Sequence, residues 1–305
     1  MIVSIVGATG FIGTWLAERL HREQGCALKL VVRSCDRLPH TWREAKDVTI
    51  YEADVATAGL RLKHWLVDSD VVYHLAGSPG VWFSYQNPIA DARISVLGTV
   101  NLLEALRASG HGKIVLLSTC RVYSNLYDAD EDTPTEPTSP YAAGKLAAES
   151  YTQLYGRRFG LRWTILRPSW VYGPRMVKNP IYDLALGFLD RRPVRLSISA
   201  DSALDFIHVR DVVEALVRAS GMSWDNLIVN VSSAQSVPLR EVLAMMHRKF
   251  GYVVEVEHVS NNILSARVIN DLARRLGWWP IVPLEQGIGE TVEALRMDPA
   301  RPQNL

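Results

Sequence analysis

Residues 2–20 constrain the fold more than any other stretch of this chain. Ile2, Val3, Ile5 and Val6 form a near-continuous apolar run, as expected of a strand buried on both faces. Gly7-Ala8-Thr9-Gly10-Phe11-Ile12-Gly13 follows, and then Ile12, Trp15, Leu16 and Leu20 recur at a spacing that suits one face of a helix. Strand, glycine turn and helix in that order are a dinucleotide-binding signature. Glycines let the backbone approach a pyrophosphate, and the helix start offers unpaired N–H groups and a positive dipole end. The spacing is Gly-x-x-Gly-x-x-Gly, one residue wider at its first step than the form most dehydrogenases use. Gly7, Thr9, Gly10, Phe11, Ile12 and Gly13 are therefore the first candidate cofactor residues. The plainer alternative is a glycine turn that serves only the chain path.

A chain of 305 residues holds one large domain or two modest ones. With 48% hydrophobic and 21% charged residues it has ordinary globular composition. A net charge of +1 gives no reason to expect a nucleic-acid or anionic-membrane partner. The first residues enter a strand at once, and no apolar run is long enough to span a bilayer, so a cytoplasmic protein is expected. Cys26, Cys35 and Cys120 are odd in number and far apart, which argues against a disulfide framework. No Cys/His cluster has metal-ligand spacing, and no metal is expected.

Residues 28–32 form the next apolar run and end at Arg33-Ser34, with Arg37 close behind. In nucleotide-binding folds this strand end meets the adenosine ribose. A carboxylate there favours NAD, whereas arginine can pair with a 2′-phosphate, so Arg33 and Arg37 point to NADP over NAD. Solvated loop arginines are the alternative. Residues 48–52 read as a third strand, followed by Asp54-Val55. Asp54 can accept from an adenine amino group or cap the helix carrying Leu60, Leu62, Trp65 and Leu66. A fourth strand runs from residue 71 into His74-Leu75-Ala76-Gly77, where small residues would let a cofactor lie against the backbone. His74 reads as a packed strand residue.

Residues 80–88 are expected as a loop. Ile94, Leu97, Asn101, Leu102 and Ala105 mark one face of a long helix through Ser109, and Gly98 inside it signals close packing. Residues 113–117 form a fifth strand with Ser118-Thr119 at its carboxyl end, where ligands gather in open parallel sheets. After a polar loop over residues 128–140, Tyr141 opens a helix to about Phe159. Tyr141 and Lys145, four apart, share one face. A tyrosine of ordinary pKa, about 10, is a poor acid–base group at neutral pH, and a nearby ammonium favours its phenolate. Residues 163–167 are a sixth strand. Beyond them the periodicity gives a helix at 184–189, a strand at 194–198 and a helix led by Val212 and Val213. A last strand follows at 227–231, then helices at 238–250, 266–276 and 284–295, and a polar tail from Asp298.

Together these stretches resemble an extended short-chain dehydrogenase/reductase of the NAD-dependent epimerase/dehydratase family. The residues that carry the likeness are Gly7 to Gly13, Asp54-Val55, His74 to Gly77, Gly98 to Ala105 and Ser139-Pro140-Tyr141 to Lys145. Arg167-Pro168 to Arg175, Asp205-Phe206-Ile207-His208-Val209 and Leu276-Gly277-Trp278 extend it towards the C-terminus. The resemblance implies an α/β fold, a doubly wound parallel Rossmann sheet with a smaller α/β C-terminal substrate domain. Residues 1–167, completed by segments within 205–232, would bind the dinucleotide, and 168–204 with 233–305 the substrate. It implies that Tyr141 is the acid–base residue, that Lys145 holds the nicotinamide ribose and lowers the tyrosine pKa, and that Thr119 binds the reacting oxygen. Cofactor contacts would continue through Leu75, Ala76, Gly77 and Pro168.

Departures from the family pattern are equally informative. Dehydratases place an Asp-Glu pair directly after the threonine, and this chain has Cys120-Arg121, which disfavours water elimination. Ser95 stands where the family usually has an asparagine. Trp170 and Leu204 replace usual diphosphate contacts, and Trp82 a loop cation. Ser84, Cys120, Trp170 and Arg175 are the expected substrate residues, with Arg191, Arg192 and Arg195 as other cations for a diphosphate. The expected function is hydride transfer at a keto or carbinol carbon of a nucleotide-activated sugar, with reduction favoured over epimerisation because of Arg33. A carbonyl reductase of an apolar ketone and a non-catalytic cofactor-binding regulator are the alternatives. The resemblance suggests a homodimer through helices around 88–109 and 141–159.

Overall fold

The apolar runs become strands β1 (Ile2–Val6), β2 (Ala27–Val32), β3 (Val48–Glu52), β4 (Val71–His74) and β5 (Lys113–Leu117). With Arg162–Pro168 and Leu227–Val231 they form one seven-stranded sheet. Its order is Leu227–Val231, Arg162–Pro168, β5, β4, β1, β2, β3. The pairings from Arg162–Pro168 across to β3 are all parallel. Every residue of β4 and β5 is buried, which is why these strands read as unbroken apolar runs rather than alternating ones. Strand order reverses between β1 and β4, and such a switch opens a crevice at the carboxyl ends of the two strands. The helix α1 (Phe11–His21) leaves β1 through the glycine turn.

The computed structural model describes residues 1–298 except 24, 60, 111, 197, 253 and 259–262, so Leu60, Ser197 and the tail beyond 298 lie outside the described residues. The chain divides into two units. The first holds Met1–Ser124, Glu131–Arg167 and Val213–Val229; the second holds Asn125–Asp130, Pro168–Val212 and the chain from Asn230. In the first unit, Leu62, Leu66, Val72, Leu102, Leu106, Ile114 and Ile165 share one core.

Two expectations for this unit need correction. Residues 80–88 are not all loop, because Val81–Gln86 is helical. Gly80 turns the chain into it at φ 116° and no side chain caps it, so the usual start signal is missing from the sequence. The long helix is also not uniform. Pro88–Ala92 and Gly98–Ser109 are α-helical, and Arg93–Leu97 between them is a π turn. The extra residue in that turn rotates the buried face, so Leu97 is exposed while Ser95, Gly98 and Thr99 are buried. Gly98 is pressed onto Val55, whose Cγ2 would lie 2.7 Å from a Cβ there.

The second unit is built from short ladders. Trp170–Tyr172 pairs in parallel with Phe206–His208, and Val194–Leu196 with Val256–His258. Tyr127–Ala129 pairs with Arg267–Val268. Residues 266–276, expected as one helix, therefore begin as a strand, and only Asp271–Arg275 is helical. Asp205 explains the difference. Its buried carboxylate accepts from Val268 N (3.0 Å), Ser169 Oγ (3.0 Å), Ser233 N (2.9 Å) and Ser233 Oγ (2.8 Å), which holds residue 268 extended. Asp211 does similar work, accepting from Ile281 N and Val282 N, while Trp278 Nε1 donates to its carbonyl. Among the described residues no helix is long and apolar enough to cross a membrane.

Candidate active site

The glycine turn shows why three glycines are needed. Gly7 has φ 94°, and a Cβ there would lie 2.7 Å from Ala76 N, so the end of β1 is packed directly on the end of β4. A Cβ on Gly13 would meet Gly7 O at 2.2 Å, which seats α1 against the turn. Gly10 caps α1 without a side chain, and the first turn of α1 carries no acid. The helix start therefore presents N–H groups and a positive dipole end that neither a capping side chain nor an acid of its own first turn neutralises. Thr14 steadies the turn, its hydroxyl lying 2.8 Å from Gly10 O and 3.2 Å from Ala8 O.

A groove of about 110 Å³ runs from this turn past Thr9, Gly10, Arg33, Arg37, Asp54, Val55, Leu75, Ala76 and Gly77. Phe11 and Ile12 are the first residues of α1 and do not line the groove. Glycine backbone, an uncapped helix start and flanking arginines suit a dinucleotide. Asp54 caps the short helix Val55–Ala58, its Oδ1 accepting from Ala56 N at 2.8 Å. It does not cap the expected helix, because Leu62, Trp65 and Leu66 lie on the separate helix Arg61–Leu66. Arg33 and Arg37 are exposed at the groove.

Thr119, Tyr141 and Lys145 also belong to the first unit. Thr119 follows β5, and its Oγ1 accepts from Arg121 N at 3.2 Å, leaving the hydroxyl proton to be donated elsewhere. Ser139 caps the helix Pro140–Phe159 through Ala142 N, and Pro140 opens it. Tyr141 and Lys145 thereby sit on its first two turns. Lys145 is buried, and its Nζ donates to Leu117 O at 2.9 Å. A Cβ on Gly77 would lie 3.2 Å from that Nζ, so the lysine passes against the end of the fourth strand's Leu-Ala-Gly segment. Burial pulls the Lys145 ammonium down to about 8, opposed by the charges of Asp91 and Glu149.

Burial pushes the Tyr141 phenol up to about 12. The strongest influence in the other direction is the Arg121 guanidinium, and the Thr119 hydroxyl also lowers it; Cys120 and Asp91 raise it. Arg121 thus contributes the lowering charge that sequence reasoning gave to Lys145 alone. Its only signal in the sequence was its place two residues beyond Thr119. His74 is a packed residue: Nε2 lies 2.9 Å from Thr99 Oγ1, and burial followed by the Lys145 charge pulls it down to about 3. Beneath these groups lies a buried brace. Arg167 Nε and Nη2 donate to Glu149 at 3.0 and 2.6 Å, and Ser118 Oγ donates to the same carboxylate.

The expected substrate residues divide between the two units. Ser84 is fully buried and donates to Val81 O at 2.7 Å, so the new helix takes up its hydroxyl proton. Cys120 is a buried thiol directly after Thr119. Pro168 ends the strand Arg162–Pro168, and Trp170 and Arg175 belong to the second unit, with Trp170 buried on its strand and Arg175 at φ 72°. Of the other arginines, Arg195 pairs with Glu257 at 2.8 Å and Arg192 with Asp190 at 3.4 Å, while Arg191 lies over the Tyr252 ring. Among the described residues no cluster of three or more His, Cys, Asp or Glu is arranged to hold a metal ion.

Comparison with known proteins adds an independent line of support. Residues 3–232 match the model of the NAD dependent epimerase/dehydratase family. A UDP-glucose 4-epimerase of Mycolicibacterium smegmatis is 33% identical over 307 residues, covering 96% of this chain and 97% of that one. A UDP-glucuronate 4-epimerase of Thermodesulfobacterium geofontis is 27% identical, covering 94% of each. Among solved structures, the Thermus thermophilus UDP-glucose 4-epimerase complex with NAD has a TM-score of 0.87 at 29% identity, over 97% of this chain and 99% of that one. The seven-stranded doubly wound sheet, the glycine turn and these matches agree, and the chain belongs to the NAD-dependent epimerase/dehydratase family of extended short-chain dehydrogenases/reductases.

Proposed function

We propose that this chain is an epimerase of a nucleotide-activated sugar, inverting a carbinol carbon by removing its hydride and returning it to the opposite face of the resulting keto carbon. The observation that carries the reading is the grouping of Thr119, Tyr141 and Lys145 at the carboxyl end of the sheet, in the unit that holds the glycine-turn groove. Bound nicotinamide supplies the hydride acceptor and donor. When the dinucleotide is bound, Gly7, Gly10 and the start of α1 would hold its pyrophosphate, and Lys145 would hold the nicotinamide ribose. Tyr141, as phenolate, takes the carbinol proton when the hydride leaves and gives it back when the hydride returns. Arg121 lowers the cost of that phenolate, and Thr119 donates to the reacting oxygen. Full-length similarity to a UDP-glucose 4-epimerase supports a UDP-hexose as substrate.

A second reading, an NADPH-dependent reductase of a keto sugar, is favoured by Arg33 and Arg37 on the groove. The two readings differ in their demand for reductant. An epimerase converts UDP-glucose to UDP-galactose with no net consumption of NADPH, as followed by anion-exchange chromatography. A reductase gives no interconversion and oxidises one NADPH per turnover of keto sugar. No conversion or cofactor oxidation with UDP-, dTDP- or GDP-sugars would refute both. A thermal shift with apolar ketones alone would then favour a non-nucleotide substrate. In solution a homodimer is the proposed assembly, checked by light scattering.

A further inference from the structure

A second acidic group reaches the Lys145 corner from another helix. Asp91 lies in Pro88–Ala92 and is 1% exposed. Its Oδ1 accepts the hydroxyl of Ser78, the residue after the Gly77 backbone that lies against Lys145 Nζ. Its Oδ2 would be 3.0 Å from a Cβ on Gly144, the residue preceding Lys145. Ser95 Cβ would be 3.0 Å from that same point, and Ser95 Oγ is buried without a hydrogen-bond partner among the described residues. Gly144 is therefore glycine because Asp91 and Ser95 occupy the space its side chain would need.

A carboxylate this far from water needs a compensating positive charge or a full set of donors. Among the described residues the donor to Asp91 is the Ser78 hydroxyl, which is not a full set, and Lys145 is the cation on which the Asp91 charge acts. Of the charges opposing the effect of burial on Lys145, Asp91 comes first, ahead of Glu149, which Arg167 and Ser118 already engage. The remaining groups facing this corner are His74 of β4, which Lys145 helps keep neutral, and Tyr141 on the lysine's own helix. The Arg121 guanidinium and the Cys120 thiol act on the Tyr141 side.

We propose that Asp91 is a positioning residue of the reaction: anchored by Ser78, its carboxylate keeps Lys145 as the ammonium that must face the cofactor ribose and Tyr141. Asp91, one helical turn before Ser95, supplies a charge at that corner. The inference rests on the reading of Lys145 given above, so its test is made independent of sugar turnover.

The direct readout is the titration of Lys145 itself, followed by NMR of lysine-selectively ¹⁵N-labelled protein and assigned by loss of the signal in Lys145→Arg. Asp91→Asn keeps the shape and the Ser78 partner while removing the charge. The Lys145 midpoint should fall by at least about one pH unit, and the alkaline limb of any turnover should move down with it. Asp91→Ser, neutral and smaller, should produce the same fall. A folded variant of either kind with an unmoved midpoint overturns the proposal. Unfolding of both overturns it as well, since Asp91 would then hold the helices together rather than tune the lysine. A protein that turns over no sugar nucleotide but shows the shifted midpoint refutes the proposed function and leaves the role of Asp91 standing.

Discussion

Replacing Gly13 by alanine separates the packing role of the glycine turn from its binding role. The new Cβ would stand 2.2 Å from Gly7 O and 3.0 Å from both Gly7 C and Ala8 Cα. A carbon and a carbonyl oxygen approach no closer than about 3.3 Å, so the helix start and the turn must separate by roughly 1 Å. Both sides are backbone, and no side chain can swing away. Overpacking of this kind costs about 1–3 kcal/mol, and the better helix propensity of alanine returns up to about 1 kcal/mol. A net loss of about 1–2 kcal/mol should lower Tm by roughly 2–8 °C. Gly10→Ala is the control. Its nearest atom would be Gly7 O at 3.2 Å, an approach relieved by a few tenths of an ångström, but its methyl would enter the groove. That variant should keep its Tm within about 2 °C while its NADH dissociation constant rises at least about tenfold, near 1.4 kcal/mol. Thermal melts and NADH fluorescence titrations read the two effects separately. A Gly13→Ala protein that melts with the wild type, or a Gly10→Ala protein that loses more stability than Gly13→Ala, would refute this division of labour.

Other perturbations test the chemistry. Tyr141→Phe should lower turnover by about 10²–10⁴ while changing the cofactor dissociation constant less than about twofold; undiminished turnover rules out Tyr141 as the proton carrier. Arg33→Asp should raise the dissociation constant for NADP far more than that for NAD, and equal changes would show that Arg33 does not read a 2′-phosphate. Acid should unfold the protein through its buried histidines. His74 is held down to about 3 and His208 to about 4, so between those values and the unfolded pKa near 6.5 the unfolded chain binds more protons and stability falls as pH falls. The loss from His74 alone at pH 4.5 should be about 2–3 kcal/mol, and His74→Asn should flatten the denaturation profile over that range; an unchanged slope would mean that His74 is already protonated in the fold.

The parallel sheet was legible because burial on both faces writes its central strands β1, β4 and β5 as near-continuous apolar runs, whereas the edge strand β3 is only half-buried. Lys113 is an instructive member of such a run. It begins β5 fully buried, its charge met by Asp225 at 2.6 Å, so a lysine there did not break the pattern. The Tyr141–Lys145 pair stood out through its place after five strand–helix units and the hydroxyl of Thr119, because a four-residue Tyr–Lys spacing alone recurs by chance. What periodicity missed lies where a local feature overrides it. The π turn at Arg93–Leu97 changes the helical repeat, and no residue type announces it. Val81–Gln86 has no capping side chain. Residues 267–268 extend because a carboxylate some sixty residues away claims the Val268 amide. The roles of Asp91 and Arg121 depend on which charges meet after folding, a property of contacts rather than of spacing.

Asp205 also fixes when the second unit can finish forming. Its four donors come from residues 169, 233 and 268, so the order in which a ribosome releases the chain matters. Chain growth delivers the carboxylate before two of its three partner segments. A nascent chain stopped at residue 260 would hold this carboxylate without the Val268 amide, and residues 127–129 without their pairing strand. Contacts so distant in sequence form slowly, because loop closure must be met before they stabilise anything. The first unit meets the same delay at its sheet edge, where Leu227–Val231 arrives long after β1–β5. Both units are thus completed only by late parts of the chain, and truncation from the C-terminal end should remove structure far from the point of the cut.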